Sequence, residues 1–359
     1  MNPRHDVIRV ALIGYGMGGA LFHAPFIAQD PRLDLAAVVT AHAGRQGEVR
    51  SRYPGTSVLV SADDLMDRLG DFDLVVVSTP NATHASLAEA VLSHGRPVVV
   101  DKPVTPTADA TRRLAALAES RGTWVVPFQN RRWDGDFRTV ADLVHRHELG
   151  VLHTFESRYE RWQPQVSRDP RRAWKNDARP GAGVGILFDL GTHVIDQAVV
   201  LFGRPQRVYG DVAVRRPSGG VDDDVFVALH YAGGPRVHLW VSSVAADRGP
   251  RFRLLGDSAA YVKWGMDTQE AKLSGGRSPA EPDWGEEPRD SWGHTIAGTD
   301  RRAVPTLAGS YQLFYAGMAS LLLDGAPPPV DIADAILTAE IIEAAAISSR
   351  TGIVAPLGT

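Results

Sequence analysis

Val7-Ile8-Arg9-Val10-Ala11-Leu12-Ile13 runs directly into Gly14-Tyr15-Gly16-Met17-Gly18-Gly19. A short β-branched apolar run entering Gly-x-Gly-x-x-Gly opens a dinucleotide-binding strand–turn–helix unit. The chemistry requires the glycines. Gly14 permits the tight turn, Gly16 lets the backbone approach a pyrophosphate, and Gly19 lets the following helix pack closely on the sheet. The phosphates would then rest on free N–H groups at the positive end of that helix, which the spacing predicts over 20–28. Tyr15, Met17 and Gly18 fill out the loop. Glycine-rich turns of other folds can carry the same letters, but here a strand precedes them and a helical stretch follows.

Outward from this unit, residues 7–13, 35–40, 74–78, 97–101 and 123–128 are short β-rich runs alternating with helical stretches. Leu74-Val75-Val76-Val77 and Val98-Val99-Val100 are continuously apolar, as parallel strands buried on both faces should be. Helices are expected over 82–93 and 107–121, capped by Asn81 and Thr107 and ended by Gly95 and Gly122. Beyond Arg132 the pattern changes. The runs 151–162, 207–215, 225–231, 237–244, 252–255 and 260–264 mostly alternate, with Gly256-Asp257 as a hairpin turn. Residues 265–309 read as a long loop, and 331–350 as a helix capped by Asp331 and ended by Gly352. The expected fold is an α/β Rossmann dinucleotide-binding domain, 1–128, followed by an α+β domain, 129–359, with a large, mainly antiparallel open sheet. A chain of 359 residues also exceeds one usual core.

Bulk composition removes several functions. A formal net charge of −4 offers no positive field to gather nucleic-acid phosphates. The absence of cysteine excludes disulfides, thiolate catalysis and cysteine-held metals. No apolar stretch approaches the roughly 20 residues of a membrane span. Met1 to Asp6 lack the apolar core of a signal peptide, so a cytoplasmic enzyme is the expectation.

An acidic residue about 20 positions past the first glycine would bond the ribose 2′-OH and select NAD. That place reads Thr40-Ala41-His42-Ala43-Gly44-Arg45, without a carboxylate. Thr40, His42 and Arg45 suit a 2′-phosphate, so NADP is expected ahead of NAD; a solvated loop lacking Asp is the other reading. Ser78-Thr79-Pro80-Asn81 with His84, and Asp101-Lys102-Pro103, follow the next strands, where ligands of open α/β sheets bind. Gln129, after the last strand, joins this cofactor-facing set. Lys102 either meets substrate oxygen or is a structural cation paired with an acid. Asp189 and His193 stand at i and i+4 after a glycine loop, an arrangement suited to proton transfer with an imidazole tuned near neutrality. A capping Asp with a satisfied core His competes with that reading, and no third ligand at recognisable spacing supports a metal.

Together these motifs resemble the glucose–fructose oxidoreductase / inositol dehydrogenase (Gfo/Idh/MocA) family over nearly the whole chain. The resemblance implies Lys102, Asp189 and His193 as a catalytic trio, with Asp101 where the family usually has Glu. Phe22-His23-Ala24-Pro25, Phe128 to Asp134 and Asp267-Thr268-Gln269-Glu270-Ala271 look like the subgroup that contains NADP-dependent scyllo-inositol dehydrogenase. It implies reversible hydride transfer with a secondary alcohol of a cyclic polyol or sugar. His193 would be the base, Lys102 would stabilise the oxyanion, and Asp189 would orient the substrate. Arg131, Trp133, Tyr159 and Trp174 are candidate substrate-facing groups, with core aromatics or a surface Arg the alternative. Which polyol or sugar does not follow. A non-catalytic sensor remains a different class of reading, disfavoured by the retained trio; a sugar–sugar oxidoreductase with tightly held cofactor is a third.

The second sheet also predicts assembly. Trp240, Val225/Val227 or Phe226, and Tyr231 all need burial and do not all fit one core. An apolar sheet face is seldom left wet, and two-fold symmetry makes it self-complementary. A homodimer or homotetramer through that sheet is expected, as the resemblance also implies.

Overall fold

The computed structural model describes residues 7–358 apart from 168, 177, 178, 180, 218 and 219. Apolar β-branched runs make the first sheet: β1 (Ile8–Ile13), β2 (Leu33–Val39), β3 (Ser57–Leu59), β4 (Leu74–Val77), β5 (Val98–Asp101) and β6 (Val125–Phe128). All are parallel, in the order β3-β2-β1-β4-β5-β6, and every residue of β4 is fully buried. The sequence pattern missed β3, whose three residues pair only with the end of β2. Helices cover both faces. Thr107 caps its helix by accepting from Ala110 N at 3.2 Å, as expected. Asn81 does not cap. It begins a 3-10 turn after Pro80, and its amide is drawn away to Gly183 O at 2.5 Å.

Two helices enter through a π-helical turn, Gly18–His23 before Ala24–Gln29 and Leu187–Gly191 before Thr192–Phe202. Such wide turns shift side chains out of α-helical phase and recur at functional sites. Both face the same cleft, described below.

The second sheet contains β7 (Leu152–Glu160), β8 (Arg207–Ala213), β9 (Asp224–His230), β10 (Arg236–Ser242), β11 (Phe252–Gly256), β12 (Ala260–Lys263), β13 (Gly293–Ala297), β14 (Asp300–Val304) and β15 (Ala355–Pro356). Their order is β14-β13-β12-β11-β7-β10-β9-β8-β15, antiparallel except for the parallel pair β7 and β10. The expected long loop over 265–309 is thus corrected, because it holds the helix Gln269–Ser274 and the hairpin β13–β14. The alternation was hidden because β14 is a charged, almost wholly exposed edge strand, Asp-Arg-Arg-Ala-Val. Charge on an edge protects it from pairing with other chains.

Alternation divides the residues that seemed too many for one core. Val225, Val227, Leu229, Val237, Leu239 and Val241 pack inward against the helices Thr192–Phe202 and Ile332–Thr351. Tyr231 is buried with them and donates to Gly203 O. Phe226 and Trp240 lie on the other face, with ring centroids 5.0 Å apart. The helix Gln312–Asp324 returns to the first sheet, where Phe314 meets Phe128 at 4.8 Å, so packing crosses residue 128. Among the described residues no helix is long and apolar enough to cross a membrane.

Candidate active site

The carboxyl ends of β1, β2, β4 and β5 open into one cleft of about 1240 Å³ that continues over the second sheet. Gly14, with φ +100°, turns so tightly that a Cβ would stand 2.1 Å from Ser78 O. A Cβ on Gly19 would stand 2.0 Å from Gly14 O, so Gly19 serves helix packing and does not line the cleft. A Cβ on Gly16 would meet nothing, since Gly16 faces the open cleft. This cradle, with Gly14, Gly16 and Gly18 on its wall, fits a dinucleotide. Tyr15, Met17, Gly18, Thr40, Arg45, Ser78, Thr79, Pro80, Asn81 and His84 all border the cleft. His42 and Gln129 do not. His42 Nδ1 accepts from Arg45 N at 3.4 Å and caps the helix Ala43–Arg52, while Gln129 is buried behind Pro103.

Behind the strand ends, Asp101 accepts from Ser78 Oγ and from Lys102 N, each at 2.9 Å. His23, at the end of the first π-helical turn, lies between Tyr315 Oη at 2.6 Å and Asp101 Oδ2 at 3.6 Å. Burial pushes the Asp101 carboxyl up. The His23 contact, aided by His84 and Lys102, overrides burial and brings it down to about 2. The Asp at this position therefore holds a fixed charge beneath Lys102.

Lys102 Nζ donates to Asp189 Oδ1 at 3.1 Å, which joins the last strands of the first sheet to the second π-helical turn. Asp189 also receives Lys175 Nζ at 3.2 Å and Arg161 Nη2 at 3.5 Å. Burial raises its carboxyl, but Lys102, Lys175 and Arg161 together hold it well below the usual range. His193 lines the cleft beside them, although the sequence expectation of an imidazole tuned near neutrality by Asp189 is corrected. The π-helical turn places the Asp189 carboxylate among cations, and it makes no hydrogen bond to His193. Burial, with the charges of Lys102 and Arg131, pushes the His193 pKa well below its ordinary value. Its Nδ1 is buried without a hydrogen-bond partner. The ring is therefore neutral near pH 7.

The adjoining wall is an ionic network. Arg131 donates to Tyr159 Oη at 2.7 Å, to Glu270, and to the fully buried Asp134 at 3.3 Å. Asp134 in turn accepts from Tyr311 Oη at 2.6 Å. Gln197 and Asp196, on the helix carrying His193, tie down this segment through Arg131 O at 3.0 Å and the Arg132 guanidinium at 2.7 and 2.9 Å. Arg131, Tyr159 and Trp174 reach the cleft. Trp133 does not; it packs edge-on against Phe314, 5.8 Å away, because the turn Asn130–Trp133 points successive side chains in different directions. Sequence reading missed Arg161, Lys175 and Glu270. Glu270 lay within a quoted motif, whereas nothing local marked the other two. Among the described residues, no three His, Asp or Glu side chains cluster to hold a metal ion.

Comparison with known proteins matches this construction half by half. A family model described as oxidoreductase family, NAD-binding Rossmann fold, matches residues 8–128, and the GFO/IDH/MocA C-terminal domain model matches 137–262. The oxidoreductase YdgJ of Escherichia coli K12 is 38% identical over 94% of this chain and 95% of its own. The NADP(+)-dependent scyllo-inositol 2-dehydrogenase IolW of Bacillus subtilis 168 is 32% identical over 96% and 94%. The solved structure of the oxidoreductase yvaA from Bacillus subtilis superposes with a TM-score of 0.91 at 31% identity, covering 99% of this chain and all of that one. Both halves, and the cleft between them, place this chain in the Gfo/Idh/MocA family of NAD-binding oxidoreductases.

Proposed function

We propose that the protein is an NADP(H)-dependent dehydrogenase that reversibly oxidises a secondary alcohol of a cyclic polyol or sugar. The observation that carries this reading is the convergence on one cleft wall of a neutral His193 and a Lys102 ammonium fixed on Asp189. When bound, the nicotinamide supplies the acceptor or donor of hydride. His193 takes the proton of the substrate hydroxyl, for which only a neutral ring is competent. Lys102 donates to the oxygen on which negative charge develops, in a site whose charges are already oriented. Asp189 orients the substrate and holds Lys102 and Lys175 at that oxygen. Residues 1–128 serve mainly the cofactor and 129–359 the substrate. NADP is favoured because no carboxylate ends β2 and Arg45 lines that part of the cleft. The scyllo-inositol 2-dehydrogenase among the relatives is NADP-dependent as well.

Inositols and aldoses screened with NADP and NAD, following reduced-cofactor absorbance, should reveal turnover. Lys102→Ala should lower kcat by about 10²- to 10³-fold with cofactor affinity largely kept. A variant with normal turnover would remove Lys102 from the mechanism.

The open sheet face supports a homo-oligomer. Tyr209, 39% exposed, Phe226, His238 and Trp240 form a continuous aromatic patch there, with the Arg158 guanidinium 3.8 Å over Trp240. Light scattering should give a mass of at least twice 38.8 kDa. A monomer mass at micromolar concentration would sink this assignment.

A further inference from the structure

Resting on the polyol reading above, we propose that Glu270 determines specificity by accepting a hydrogen bond from a second, unreactive substrate hydroxyl, with Tyr159 as the matching donor. The motif Asp267-Thr268-Gln269-Glu270-Ala271 is built to present it. Asp267 accepts from Gly135 N at 2.7 Å and Gln269 N at 2.8 Å. The fully buried Gln269 donates to Trp133 O at 3.2 Å and accepts from Tyr311 N at 2.9 Å. These bonds fix the start of the six-residue helix Gln269–Ser274 against the segment that carries Arg131. A buried carboxylate is costly, and burial pushes Asp267 up to about 6. What that costly anchoring delivers to the cleft is the Glu270 carboxylate, 39% exposed beside Arg131 and Tyr159.

Pairing with Arg131 does not use all of it. Arg131 also bonds the fully buried Asp134, whose carboxyl is pushed by burial well above its usual range, so Glu270 supplies the countercharge while one of its oxygens is left over. Only Oε2 of Glu270 is used, and among the described residues Oε1 makes no hydrogen bond. The Tyr159 hydroxyl accepts from Arg131 and, held protonated by burial that pushes it up to about 12, still has its own hydrogen to give. The wall thus offers one acceptor and one donor unspent. A hydroxyl is both donor and acceptor and satisfies the two together. An ether oxygen or a deoxy carbon leaves Glu270 Oε1 desolvated and without a donor, and an anionic group is repelled by the carboxylate. Tyr159 lies against His193, with ring centroids 6.5 Å apart, so the hydroxyl read belongs near the reacting carbinol. The substrate class is therefore a neutral polyol with a free hydroxyl close to the carbon that is oxidised.

The test uses the polyol that the enzyme turns over best and the set of its monodeoxy analogues, with wild type, Glu270→Ala and Glu270→Gln. Wild type should discriminate against one analogue by about 10- to 100-fold or more in kcat/KM. Glu270→Ala should lower kcat/KM for the parent by a similar factor, mainly through KM, and bring the ratio for that analogue close to one. Glu270→Gln keeps an acceptor and should recover part of the ratio. It also serves if the alanine variant does not fold, with melting temperature and NADPH binding as controls. Unaltered discrimination, or equal loss on the parent and every analogue, would overturn the proposal and leave Glu270 as a support for Arg131. A wild type that oxidises no polyol at all overturns the underlying function, and this proposal with it, a result distinguishable from the first.

Discussion

At the nucleotide end of the cleft, Gly14, Thr40 and Ser78 follow the ends of three adjacent strands, and what they present is largely backbone. At the opposite end, Lys102, Arg161, Lys175, Asp189 and Glu270 come from separate segments and present charge. The first arrangement is fixed as soon as the parallel sheet forms. The second exists only after both sheets and the helix Gln269–Ser274 have been brought together, and each charge depends on the others for relief from burial. Damage at the nucleotide end should therefore reach stability and cofactor affinity together. Damage at the other end should fall first on rate.

The largest effect expected at the charged end is His193→Ala, which should lower kcat by about 10²- to 10⁴-fold while NADPH still binds. A pH profile sharpens the assignment. Because burial and the Lys102 and Arg131 charges hold the His193 pKa well below 6.5, the neutral form persists as pH falls through 6.5. With His193 as the proposed base, oxidation needs that neutral form, so the acid limb of kcat should lie well below pH 6.5. A limb at 6.5 or above would mean that the ring titrates as an ordinary, solvated histidine, and the comparison between a built charge cluster and a plain cleft would fail.

Gly14→Ala probes the other end and should cost about 2–4 kcal/mol of stability, from a strained positive φ and overlap with the Ser78 carbonyl. Thermal unfolding and NADPH titration should fall together. A variant with the parent's melting temperature and weak cofactor binding would show that the turn is tuned for the ligand alone.

The same contrast explains what the sequence made legible. β1, β4, β5 and the glycine turn each carry their pattern within a few consecutive residues, and the cleft-lining strand ends follow from them. Lys102, Asp189 and His193 were legible only because they sit in recognisable motifs. Arg161 and Lys175 are single cations whose meaning comes from a carboxylate elsewhere in the chain. Trp133 and Tyr159 are both aromatic, but composition does not tell which way a side chain points: one packs on Phe314 and the other lines the cleft. β14 escaped notice because an edge strand has no buried face to impose alternation. His42 had suitable chemistry for an anion, yet its Nδ1 is engaged by the first turn of its own helix.

That last correction narrows the cofactor question to Arg45, where the smallest effect is expected. Thr40 is buried and its Oγ1 faces His42 N at 3.4 Å, so it has little charge-reading power. Glu48, one turn beyond Arg45, also borders the cleft and would oppose a 2′-phosphate, but Arg52 pairs with it at 3.2 Å. Among the described residues, Arg45 is thus the cation placed to meet a 2′-phosphate at this end of the cleft. Its contact would be charge-assisted and partly solvated, worth roughly 1.5–3 kcal/mol. Arg45→Ala should accordingly weaken NADP binding by about 10- to 100-fold and leave NAD nearly unchanged, as read by cofactor titration. Raised salt should shrink the difference, because the pair is exposed enough to be screened. Equal loss for both cofactors, or a parent enzyme that prefers NAD, would show that Arg45 supports the helix Ala43–Arg52 and does not read the phosphate.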